Sequence, residues 1–180
     1  MGVLSNQLRQ SRWGLPLARG IADTIRADKL QVRALLRELF SEDVEARKRA
    51  ADVTRRITES DGSLLHAYFD ELSGLLETLP PEENRTRWHL GLVVPRIAQT
   101  REQRLRAARI MLVLAEDESN VVRCSAVEGL GALALQEESL REEAESLIYS
   151  YLHTGTLAMK SRARHVEKLL AKARFRSGLK

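Results

Sequence analysis

An arginine recurs along this chain at intervals of 40, 36 and 39 residues, as Arg47, Arg87, Arg123 and Arg162, and carries similar neighbours with it. Three residues on stand Ala50, Leu90, Ala126 and His165; seven on, Thr54, Val94, Leu130 and Leu169; ten on, Ile57, Ile97, Leu133 and Lys172. Offsets of three, seven and ten share one face of a helix with 3.6 residues per turn, and that face is apolar in the first three copies. Such self-similarity predicts stacked copies of one unit, each burying its apolar face against the next. In the fourth copy His165 and Lys172 interrupt the face, as expected of a terminal unit with no further neighbour.

Each arginine-bearing stretch follows another amphipathic one. Leu64, Tyr68, Leu72, Leu75, Leu76 and Leu79 recur at helical spacing in 63–79, as do Leu140, Ala144, Leu147, Ile148 and Tyr151 in 139–152. The unit is therefore a helix pair. Thr100 with Gln103 and Ser139 with Glu142 have capping-box spacing, Pro81-Glu82-Glu83 suits a first turn, and Gly62 and Gly155 read as breaks. Pro95 predicts a kink. The pairs fall at 29–58, 63–99, 101–135 and 138–174, after a basic capping segment at 1–28 and before a frayed tail at 175–180. With 4% aromatic residues and a bias to Ala, Leu, Arg and Glu, a β-sandwich or barrel is not expected and an all-α fold is.

The run Asn120-Val121-Val122-Arg123-Cys124-Ser125-Ala126-Val127-Glu128-Gly129-Leu130-Gly131 resembles the second helix of a HEAT repeat, and Asp43 with Arg47 and Ala50 looks like a degenerate copy. The resemblance, which covers roughly residues 29–174, implies an armadillo-like right-handed α-α superhelix of about four helix pairs, with second helices lining a concave face. It also implies that Arg47, Arg87, Arg123 and Arg162 form a structural ladder, each reaching a turn carboxylate of a neighbouring repeat.

Charge is unevenly spread. Residues 1–40 are net +4, 41–159 net −7 and 160–180 net +7. The second helices together are basic and the first helices acidic, which favours an anionic partner on the inner face: a partner protein with an acidic surface, or a nucleic-acid backbone. On that face, offsets of two, five and nine from the aligned arginine give the candidate binding residues Arg49, Arg56, His89, Arg96 and Arg164, with Trp88 as a possible interface anchor. Trp13, with Leu15, Leu17 and Ile21, is expected to cover the open edge of the first pair.

No catalytic pattern stands out. The four histidines lack metal-ligand spacing, His66 and Asp70 read as a solvent-facing pair, and Cys124 reads as a small buried thiol. Catalytic residues, metal ligands, cofactors and a small-molecule substrate are therefore not expected, and the function expected is a non-enzymatic interaction scaffold. Alkylpurine DNA glycosylases built from HEAT-like repeats use tryptophans and an aspartate in a basic groove, and Asp52 and Trp88 are the stand-ins here. A lone cysteine and the lack of a secretory signal or membrane span predict a cytoplasmic protein, with oligomerisation possible.

Overall fold

In a computed structural model of the protein, which describes residues 2–177 with side chains through residue 173, every regular element is helical. The order is α1 Val3–Leu8, α2 Leu15–Ala27, α3 Val32–Leu39, α4 Val44–Ile57, α5 Phe69–Thr78, α6 Asn84–Ile97, α7 Arg101–Leu114, α8 Asn120–Ala134, α9 Arg141–Thr154 and α10 Leu157–Ser177, with short 3-10 turns leading into α3, α5, α6 and α9. Four pairs follow from the packing: α3 lies on α4, α5 on α6, α7 on α8 and α9 on α10. The second helices form one layer, α4 packing against α6, α6 against α8 and α8 against α10, while among the first helices α5 packs against α7. No described helix is long and apolar enough to cross a membrane.

Burial follows the arginine register in three of the four pairs. Ala50, Leu90, Ala126, Thr54, Val94, Leu130, Ile57, Ile97 and Leu133 are all buried. In α10 the buried set moves one position on, to Val166 and Leu170 with Met159 and Ala163, so that Leu169 joins His165 and Lys172 at the surface. Having only α8 and α9 to pack against, α10 turns a different face inward.

The expected helix ends are met unevenly. Asp43 caps α4 by accepting from the Glu45 and Ala46 amides, and Thr100 with Gln103 closes a full capping box on α7. Ser139 does not cap; its hydroxyl donates to Glu137, because a 3-10 turn at Glu138–Leu140 occupies the approach to α9. Around Pro95, α6 continues to Ile97.

The 1–28 segment does more than shield an edge. Its α2 packs on α4 as α4 packs on α6, burying Ala18, Ile21, Ala22 and Ile25, so the second-helix layer has a fifth member. Leu15, expected to help cover the open edge, is exposed at the first position of α2. At the other end, α10 extends through Ser177, three residues past the end expected for the last helix pair, and 178–180 lie outside the described residues.

The aligned arginines act unequally. Arg47 pairs with Glu83 in the turn before α6, and Arg87 with Asp117 in the turn before α8. Arg123 instead donates to its own turn at the Ala115 carbonyl (3.1 Å) and lies over the Tyr151 ring, because the turn before α10 offers Thr154, Gly155 and Thr156 and no carboxylate. Arg162 reaches back to Glu128 at 2.9 Å. Tyr151 donates to the same Ala115 carbonyl, and burial pushes its phenol up to about 12.

Candidate functional site

Where α2, α4 and α6 run side by side, the second-helix layer carries a cleft of about 280 Å³. Its walls are Trp13 from the segment before α2, Lys48, Arg49, Asp52, Arg55 and Arg56 from α4, and Arg85, Trp88 and His89 from α6. Helical spacing places these α4 residues on its free side, since Ala46, Ala50, Val53 and Ile57 turn into the core. The same spacing turns Leu90, Val93, Val94 and Ile97 inward on α6.

Asp52 sits at the centre and is nearly buried. Its carboxylate faces Arg56 at 3.1 Å and Arg55 at 3.3 Å, and accepts a long bond from the Trp13 indole N–H at 3.4 Å. Both indoles are flanked by guanidinium groups: Arg49 lies 5.3 Å from the Trp13 ring centre, and Arg85 and Arg55 lie 5.5 and 5.8 Å from that of Trp88. Arg49 also fastens the N-terminal segment, donating to the carbonyls of Leu8 (2.9 Å) and Gln10 (2.6 Å). Arg85 is exposed and forms no ion pair among the described residues.

His89 is buried at 6% exposure, against the expectation that it points to solvent. The Trp88 ring lies 4.4 Å away, and Asp52, Arg55 and Arg56 of α4 line the same cleft. Burial pushes its pKa down to about 4, and Arg55, Arg56 and Arg85 push the same way against the pull of Asp52. The ring is therefore neutral at physiological pH, and its Nδ1 is buried without a hydrogen-bond partner.

Arg49, Arg56, His89 and Trp88 thus come together at one cleft, whereas Arg96 and Arg164 stand apart. Arg96 turns to Glu128 at 3.6 Å, and Arg164 is exposed on α10. Sequence reasoning missed Trp13, Lys48, Arg55 and Arg85. The available signal was Trp13 between Arg12 and the Gly14 break, and an arginine three residues after Asp52.

The first-helix layer has the opposite character. A groove of about 600 Å³ between α7 and α9 has Leu112, Ala115 and Leu147 among its lining, with Glu116, Glu142 and Glu143 beside them. Cys124 is half-buried, and burial pushes its thiol pKa up. No three His, Cys, Asp or Glu side chains among the described residues converge to hold a metal ion. No family model, curated protein or solved structure matches the chain.

Proposed function

We propose that the protein binds nucleic acid along its second-helix layer, as a short right-handed HEAT-like superhelix whose inner face is built from α4, α6, α8 and α10. The observation that carries this reading is the cleft: two indole rings and five cationic side chains surround one carboxylate. Cations neutralise phosphates and indoles stack on unpaired bases, so the pair of features suits a nucleic-acid chain. An acidic protein surface would use the cations and leave the paired tryptophans unexplained. Binding without turnover is supported by Asp52, whose charge is compensated in place by Arg55 and Arg56, and by His89, which carries no acidic proton at neutral pH.

The Trp13–Asp52 contact favours a second reading. Tryptophans around an aspartate on a basic face are what the resemblance to HEAT-like alkylpurine glycosylases asks for, and release of alkylated bases from methylated duplex DNA is its assay.

Fluorescence anisotropy of labelled single-stranded DNA, duplex DNA and poly-glutamate across a salt series tests the binding reading. DNA binding with a steep log–log salt slope is expected, weakened at least tenfold by Lys48→Glu with Arg85→Glu at unchanged helicity. Binding of poly-glutamate with none of either DNA at low salt would move the assignment to an acidic protein partner.

A further inference from the structure

We propose that the cleft between Trp13 and Trp88 is a site for one nucleotide, holding its base against the indoles and its phosphate against Arg85 and Lys48. The inference rests on the nucleic-acid reading of this face and adds which part of the polymer is recognised.

Size limits the occupant. A volume of about 280 Å³ is at the small end of ligand pockets, which start at roughly 300 Å³, so a single base with its sugar-phosphate suits it and a duplex does not. Chemistry narrows it further. Arg85 lies over Trp88 with no ion pair among the described residues, which leaves a cation to meet a phosphate. Lys48, on the facing helix, pairs with Glu45 on its own helix.

The wall also holds polar atoms that the protein leaves unused. His89 Nδ1 is buried without a partner, as are the Nε atoms of Arg55 and Arg56. Buried polar groups normally find hydrogen bonds, and a base edge supplies both donors and acceptors to a neutral imidazole. An indole face, an unmatched imidazole nitrogen and an uncommitted guanidinium at one cleft recognise a base and a phosphate together.

The occupant comes from one of two sources, an unpaired nucleotide within a strand or a free nucleoside monophosphate. In either case a paired duplex should bind less well, because its bases are stacked and unavailable.

The test uses intrinsic fluorescence, since both tryptophans of the chain line the cleft. Adenosine 5′-monophosphate, inorganic phosphate, a short single-stranded oligonucleotide and the matching duplex are each titrated into the full chain. Saturable quenching by the monophosphate, at least tenfold weaker with inorganic phosphate and lost in Trp88→Leu and Arg85→Glu, supports the site. Arg85→Glu keeps the result interpretable if Trp88→Leu fails to fold. Preference for the single strand over the duplex, with competition by the monophosphate, assigns the occupant to a strand. Monophosphate binding with no oligonucleotide binding keeps the site, assigns it to a free nucleotide and overturns the nucleic-acid reading. Salt-dependent binding of both DNAs with no monophosphate effect overturns the site and leaves that reading standing. Equal response to inorganic phosphate overturns recognition of the base.

Discussion

Arg47 and Glu83 meet as a forked ion pair across two helix pairs: Arg47 Nε donates to Oε2 of Glu83 at 2.8 Å while a terminal nitrogen reaches Oε1, with the two side chains 16% and 7% exposed. The same guanidinium donates to the Ser41 carbonyl at 2.6 Å, so one side chain joins the turn before α4 to the turn before α6. Glu83→Gln keeps the shape and removes the charge, leaving a largely buried cation without its counter-ion. Stability measured by urea unfolding should fall by about 3 kcal/mol, and Arg47→Leu with Glu83→Leu should recover most of it. A Glu83→Gln protein unfolding at the wild-type midpoint would show that the pair contributes nothing.

Close approach of the second helices depends on glycine. A methyl group at Gly131 on α8 would overlap Cγ1 of Val166 on α10, a stiff β-branched side chain at a buried position. Gly131→Ala should therefore lower stability by roughly 1–3 kcal/mol, although alanine is the better helix former. Adding Val166→Ala should return part of the loss by opening space. Thermal melts of the wild type and the two variants decide it, and a more stable Gly131→Ala single variant would mean that α8 and α10 are further apart.

What the sequence made legible was whatever repeats. The pairs α3–α4, α5–α6 and α7–α8 follow from one apolar register, because burial against a like neighbour imposes the same pattern on each copy, whereas α10, at the end of the row, buries a face one position on. The cleft was only partly legible, because it depends on how long side chains from one helix fold over the next. Arg49 and Arg96 share the free-face register, yet Arg49 is taken up by the carbonyls of Leu8 and Gln10 and Arg96 by Glu128. Charge reversal at either would disturb the fold along with any binding. Trp13 lies outside the repeats, and its place beside Asp52 is a contact between residues 39 apart that no periodicity encodes.

Cys124 should behave as a shielded thiol. Burial holds its pKa above the ordinary value and Glu128 adds to the effect, while Arg162 and Arg123 oppose it. At pH 7.5 its reaction with a chromogenic disulfide should be at least tenfold slower than that of free cysteine, and unfolding in urea should remove the difference. Native labelling at the free-thiol rate would mean that the arginines prevail over burial.

His89 should make the fold sensitive to mild acid. Its folded pKa of about 4 lies below the ordinary 6.5, because the ring is buried and Arg55, Arg56 and Arg85 face it, with Asp52 the one anion in the cleft wall pulling the other way. Between those two values the unfolded chain takes up a proton that the folded protein refuses, so stability is complete above pH 6.5 and declines as pH falls toward 4. The loss between pH 7.5 and pH 5 should be on the order of 2 kcal/mol from this residue. His89→Gln removes the titrating group, and its urea midpoints at the two pH values should lie closer together than those of the wild type. An equal acid shift in both proteins would show that His89 is not the source of the acid sensitivity and place its ring nearer to water than its 6% exposure implies.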